Sequence, residues 1–207
     1  MQNLTEWHYE NCHEYRAIID AYGGLKQYAQ LDEVPAISVR LFKQFKLKSI
    51  TDENVFKVLS SSGTSSQITS KIYLDQQTAS NQSKALVKIV QPYVGKKRVP
   101  MLMVEHENLL NNRAAFSARA AGVQGLSIFG RKHCYLLDEN LNLDLEKFMD
   151  FVNRYGQQEV IIFGFTFIVW FHFIEVLKKE NIRVELPKAI LIHSGGWKKM
   201  QDQSVDN

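Results

Sequence analysis

Cysteine is nearly absent from these 207 residues, and the two present, Cys12 and Cys134, stand 122 positions apart. That excludes a disulfide framework and any metal site built on paired cysteines, and a reducing, cytoplasmic compartment is the simplest expectation. An excess of one charge is lacking as well. The net charge is only +3 and the 25 Lys and Arg are dispersed, so the electrostatic footprint of a nucleic-acid binder is missing. The densest basic run, Arg40 to Lys48, alternates with apolar residues, as a half-buried element with solvated stems does. Residues 1–20 carry Glu6, Glu10, Glu14 and Asp20 and no continuous apolar core, which argues against a secretory signal. The longest apolar stretch, Val160 to Leu177, falls short of the roughly 20 residues of a membrane span and contains His172 and Glu175. No G-x-G-x-x-G occurs, and a Walker loop is excluded because Ile68, five positions after Gly63, stands where its second glycine would be.

What is present is core-forming material, 45% apolar and 11% aromatic, enough for one large domain. Tyr15, Ile18, Ile19 and Tyr22 share a face of a helix over about 8–22, stopped by Gly23-Gly24. Asp75 caps a helix predicted over 76–91 and ended by Pro92, with Ala79, Leu86 and Ile89 or Val90 on its apolar face. Arg98 to Val104 reads as a strand, Glu107 to Ala121 as a helix ending at Gly122, Tyr135 to Leu137 as a short strand, and Leu145 to Tyr155 as a helix before Gly156. The apolar stretch divides into a buried strand over 160–163, a turn at Gly164-Phe165-Thr166 and a helix from about Phe167 to Lys179. Ala189 to Ile192 is a further buried strand. This alternation predicts the α/β class, a largely parallel sheet flanked by helices.

Two polar segments are expected at the carboxyl ends of strands, where such sheets bind ligands. The first is Ser60-Ser61-Ser62-Gly63-Thr64-Ser65-Ser66, after an apolar run closed by Val58-Leu59 and before Lys71. Gly63 lets a bound anion approach the backbone, successive N–H groups form an anion-binding nest, and the hydroxyls of Ser61, Ser62, Thr64, Ser65 and Ser66 add donors. Lys71 adds a full charge. Phosphate oxygens suit this set, although composition alone also fits a solvated Ser/Thr loop. The second is His193-Ser194-Gly195-Gly196-Trp197-Lys198-Lys199, a compact turn where backbone can approach a flat ring; a structural Gly-Gly turn with Trp197 as a packing residue is the other reading. Phe163, Phe165, Phe167 and Trp170 serve either as core or as an apolar ligand pocket.

Taken in order, Val34-Pro35, Phe42-Lys43, Ser61 to Ser65, Ser70-Lys71-Ile72-Tyr73-Leu74-Asp75, Phe163-Gly164-Phe165-Thr166 and His193 to Lys199 resemble the LuxE-type acyl-protein synthetases, within the adenylate-forming superfamily. The resemblance covers essentially the whole chain. It implies ATP-dependent activation of a fatty acid or other carboxylic acid, with Mg²⁺ offsetting charge on the triphosphate, and passage of the acyl group to an enzyme cysteine and then to a reductase subunit or other acceptor protein. It further implies that Ser61 to Ser66 hold the β- and γ-phosphates and that Gly195, Gly196 and Trp197 line the adenine side. His106 becomes a candidate for orienting the carboxylate; an exposed histidine at a helix start is the alternative. Ser66 stands where the family usually has Gly. Relatives continue into an acidic metal-site motif and a small lid carrying the acceptor cysteine, so residues 1–207 are expected to be an incomplete N-terminal domain without that lid. Neither Cys12 nor Cys134 matches the acceptor, and both are expected to be small buried residues. A non-catalytic nucleotide- or acyl-binding module, or a subunit that associates with a partner chain or oligomerises, is the competing reading.

Overall fold

Val99–Val104 and Val160–Phe165 are uninterrupted apolar hexads, and every residue of both is buried. Strands covered on both faces need no polar alternation, so these two form the centre of a parallel sheet. The computed structural model describes residues 2–60, 68–110 and 118–205. The described residues fall into two units, one of residues 2–84 together with Ala118, the other of residues 85–110 and 119–205.

In the first unit, α1 (Gln2–Asn11) and α2 (His13–Ala21) replace the single helix predicted over 8–22. Cys12, buried as expected, breaks the path with extended backbone, φ −131° and ψ 107°. The Arg16 guanidinium donates to the carbonyls of Tyr9 at 2.9 Å and Glu10 at 2.8 Å, satisfying acceptors at the end of α1. A short α3 (Leu41–Gln44) occupies the basic run, with Leu41, Phe42 and Lys43 half-buried. Strands β1 (Lys57–Ser60) and β2 (Lys71–Leu74) form a separate two-stranded antiparallel sheet in which Ser60 faces Lys71. This corrects the expectation of a buried strand in the parallel sheet: Val58 is 36% exposed. The intervening residues 61–70 are also fewer than the dozen or so a parallel crossover needs.

Helix α4 (Gln76–Val94) begins as predicted, with the Asp75 carboxylate accepting from the Thr78 N–H at 2.6 Å. It runs past Pro92, which sits in the last turn and, lacking an N–H, forfeits one intrahelical hydrogen bond there. Leu86 and Val90 face the core of the second unit, and Ile89 is 66% exposed.

The second unit is built on a four-stranded parallel sheet in the order β4 (Gly130–Tyr135), β3 (Val99–Val104), β5 (Val160–Phe165), β6 (Ala189–Ser194). Helices α5 (Ala118–Ser127) and α6 (Leu145–Tyr155) precede and follow β4. Helix α6 has the predicted bounds, capped by Asp144, whose carboxylate accepts from the Lys147 N–H at 2.9 Å. Its Phe148 is fully buried edge-on to Phe173, with ring centroids 5.1 Å apart. Burial of such a side chain is worth roughly 1.5–3 kcal/mol.

Four predictions are corrected here. Strand β4 lies earlier than 135–137, because its edge position tolerates exposed Arg131, Lys132 and His133. Gly122 lies inside α5, where a Cβ would sit 3.0 Å from Phe165 Cζ; the glycine serves close packing rather than a helix end. The turn expected at Gly164 is strand, since a Cβ there would meet Val169 Cγ2 at 2.6 Å and Val104 Cβ at 2.9 Å. Strand β6 is an edge strand with Ile190 and Leu191 37% and 46% exposed, not a buried one. After β5 the chain turns directly into α7 (Thr166–Val169), a π-helical segment (Trp170–Ile174) and α8 (Glu175–Lys179). Among the described residues no helix is long and apolar enough to cross a membrane.

Candidate functional site

The strand order places a topological switch between β3 and β5. The chain leaves β3 for β4 on one side, whereas the chain leaving β5 goes to β6 on the other. The two connections diverge beyond the carboxyl ends of this central pair, the place where open α/β sheets receive ligands. Register aligns the three strand ends: Val104 pairs with Gly164, Gly164 with His193, and Phe165 with Ser194. Counting two residues beyond the Val104–Gly164–His193 row brings His106, Thr166 and Gly195 to the same level along the three strands.

At the end of β3 the apolar run gives way to Glu105, whose side chain is 1% exposed. Its Oε1 accepts from Arg119 Nη2 of α5 at 3.1 Å and from the backbone N–H of His106 at 3.0 Å. Arg119 Nε lies 2.8 Å from Oε2, close enough for an ion pair although its N–H is not aimed at that oxygen. The same Nη2 lies 3.3 Å from His106 Nε2. His106 is therefore largely covered, its side chain 16% exposed, and is not the exposed helix-start residue of the alternative reading. Its Nδ1 is buried without a hydrogen-bond partner among the described residues. Nearby, the Asn142 side chain and backbone hold the Asp138 carboxyl below the usual carboxylate range by hydrogen bonding.

The other two strand ends are tied to each other. Thr166 Oγ1, at the start of α7, donates to the Ser194 carbonyl at 3.1 Å and lies 3.0 Å from His193 Nδ1. Gly195 and Gly196 have φ of +89° and +58°, and a Cβ on Gly195 would approach Phe165 Cδ1 to 2.7 Å. Glycine is thus required at 195 both for its backbone conformation and for the ring packed against it. Trp197 packs edge-on against Trp170 and Phe171, centroids 6.3 and 6.0 Å apart, so the first two residues of the π segment brace it. Phe163 and Phe165 are core, 2% and 8% exposed, while Phe167 and Trp170 are half-buried.

The sequence-predicted residues His106, Gly195, Gly196 and Trp197 all stand at this carboxyl edge. Ser61, Ser62, Gly63, Thr64, Ser65 and Ser66 lie outside the described residues. Lys71 belongs to the first unit, exposed at the start of β2. Sequence reasoning missed Glu105 and Arg119. A single carboxylate closing the run Met101-Leu102-Met103-Val104 was the available signal for the first. Cys134 is half-buried, and burial pushes its thiol up, which disfavours the nucleophilic thiolate. Among the described residues no group of three or more His, Cys, Asp and Glu side chains is placed to hold a metal ion.

A comparison with protein families matches residues 2–207 to the family described as "Acyl-protein synthetase, LuxE". The chain belongs to the LuxE acyl-protein synthetase family. A comparison with curated proteins gives no match. For a LuxE-family chain the general activity is that of an acyl-protein synthetase.

Proposed function

We propose that this LuxE-family chain activates a fatty acid or other carboxylic acid as its acyl-adenylate, ahead of transfer to a protein thiol. A carboxylate oxygen attacks the α-phosphorus of ATP, the bond to the β-phosphate oxygen breaks, and pyrophosphate leaves. A cysteine thiolate then attacks the acyl carbon and AMP departs with the carboxylate oxygen. Catalysis of the first step requires in-line positioning and donors for the charge that builds on phosphorus. Mg²⁺ takes oxygen ligands and keeps several waters, so the triphosphate itself supplies much of its coordination and the metal offsets the charge there.

The observation that carries this reading is the arrangement at the sheet switch, where His106 presents a buried nitrogen with no partner among the described residues at the level of the Gly195-Gly196 turn. In this reading His106 orients the acid, and Gly195, Gly196 and Trp197 line the adenine side. Ser61, Ser62, Gly63, Thr64, Ser65 and Ser66, with Lys71, hold the β- and γ-phosphates, an assignment resting on their donors and their order in the chain. The test is acid-dependent exchange of labelled pyrophosphate into ATP. Exchange is expected with long-chain fatty acids, and Ser62→Ala with Thr64→Ala should abolish it; exchange that survives this pair disproves the phosphate assignment. The exposed apolar edge at Ile190 and Leu191 favours a second reading, a nucleotide- or acyl-binding subunit that works with a partner chain. Calorimetry distinguishes the two: binding of ATP or an acyl-adenylate analogue without exchange supports the subunit, and no binding counts against both.

A further inference from the structure

We propose that Arg119 and Glu105 are positioning residues that fix the tautomer of His106, with its proton on Nδ1, so that Nδ1–H is kept as a donor for a carboxylate oxygen of the acid substrate. The inference rests on the reading of His106 as the residue that meets the acid. It extends that reading to the two groups that hold the imidazole.

Glu105 is the anchor. Its carboxylate is almost wholly buried, and it holds the Arg119 guanidinium side-on through Oε1 and Oε2, at 3.1 and 2.8 Å. It also takes the backbone N–H of His106 at 3.0 Å, so the same carboxylate fixes both the arginine and the start of the loop carrying the histidine. Arg119 is thereby aimed at the imidazole, with Nη2 at 3.3 Å from Nε2. A guanidinium has donors only and stays charged, so the ring nitrogen it faces must accept. With Nε2 accepting, the ring proton belongs on Nδ1. Glu105 Oε1 does not compete for an Nε2 proton, since at 3.7 Å from Nε2 it is beyond hydrogen-bond range.

The consequence is a donor already stripped of water. Nδ1 is buried and has no partner among the described residues, and a buried N–H left unpaired is a cost the fold bears until an acceptor arrives. A carboxylate oxygen is the acceptor that recovers most, because a hydrogen bond to an ionised group is about twice as strong as a neutral one. Arg119 does not need to touch the acid. It acts through the imidazole, offsetting the usual freedom of a neutral histidine to carry its proton on either nitrogen.

The test is nitrogen-15 NMR of the histidine side chains in the full chain, with the His106 ring assigned by its loss in His106→Asn. The expected spectrum shows protonated Nδ1 and bare Nε2, reverting toward protonated Nε2 in Arg119→Leu and in Glu105→Gln. Protonated Nε2 in the unmodified chain, or a tautomer indifferent to Arg119→Leu, overturns the proposal. Should either variant fail to fold, Arg119→Lys supplies the comparison and the unmodified spectrum still decides. In pyrophosphate exchange, Arg119→Leu is expected to lower turnover roughly tenfold or more, the worth of one hydrogen bond to an ionised group. It should add less than about twofold in a His106→Ala background, as residues acting through one group are non-additive. Independent losses would mark Arg119 as merely structural and overturn the proposal. If His106→Ala leaves exchange intact while the tautomer is as expected, the role of His106 in the reaction falls and the positioning by Arg119 stands.

Discussion

Replacing Gly195 and Gly196 separately by alanine separates two effects that glycine can serve in one turn. Both residues have positive φ, +89° and +58°, so alanine at either position bears the left-handed penalty of about 1–2 kcal/mol. Their surroundings differ. A Cβ on Gly196 meets nothing within 4 Å, whereas one on Gly195 would stand 2.7 Å from Phe165 Cδ1 and 3.3 Å from Cε1. Phe165 has little room to yield. It is 8% exposed, its Cζ lies 3.0 Å from where a Cβ on Gly122 would be, and its ring meets Phe163 edge-on at 5.9 Å. Overpacking of this kind adds about 1–3 kcal/mol. Gly195→Ala should therefore cost about 2–5 kcal/mol in all, against about 1–2 kcal/mol for Gly196→Ala.

Urea unfolding measures both variants, and thermal unfolding gives an independent ranking. A difference of about 2 kcal/mol should put the Tm of Gly195→Ala about 4–8 °C below that of Gly196→Ala. Adding Phe165→Leu to Gly195→Ala should restore part of the loss, because shortening the ring removes the atoms in conflict, so the pair should be non-additive by about 1 kcal/mol or more. Equal costs at 195 and 196, within about 0.5 kcal/mol, would refute the steric argument and leave only the backbone term.

The Glu105–Arg119 pair gives a second expectation. Arg119→Leu strands a buried carboxylate and should cost about 3 kcal/mol, the lower end of the range for broken buried pairs because the arginine side chain is 27% exposed. Converting both residues to Leu should recover most of that loss in a double-mutant cycle by chemical denaturation, and strict additivity would show the pair to be uncoupled. A third concerns Asp52, whose carboxyl is lowered from 3.8 to about 2 by hydrogen bonds from Lys48 first and Lys46 second. A depressed folded value means that its contribution is present above the ordinary carboxylate range and disappears as pH falls. The stability difference between the unmodified chain and Asp52→Asn should thus be visible at neutral pH and vanish between pH of about 4 and about 2. The pair is exposed, so added salt should shrink the difference, and a gap that persists at pH of about 2 would contradict the assignment.

Elements bounded by local chemistry were legible in the sequence. Leu145–Tyr155 carries an apolar face between the cap Asp144 and Gly156, and α4 carries its own cap at Asp75. Nothing local marks the partner of a strand. The segments before Ser61 and before His193 look alike as short apolar runs, yet β1 joins a two-stranded antiparallel sheet and β6 the edge of a parallel one. Gly164 misled for the same reason: in sequence it reads as a turn, and only the approach of Val104 and Val169 shows that the strand needs a residue without a side chain there.

The site divides along the same line. Gly195, Gly196 and Trp197 could be found because the turn is contiguous, whereas the chemistry at β3 depends on residues fourteen positions apart on two elements. Glu105 is the residue that reconciles them. A carboxylate closing a run of four fully buried apolar residues is too costly to be left alone, so it demands a cation, and the cation that answers is Arg119 of α5. Once the arginine is held there, the Nη2 that donates to Glu105 also faces His106 Nε2, at 3.3 Å. The burial that makes Glu105 costly is thus also what orients the imidazole, and stability and site geometry at the end of β3 are set by one ion pair.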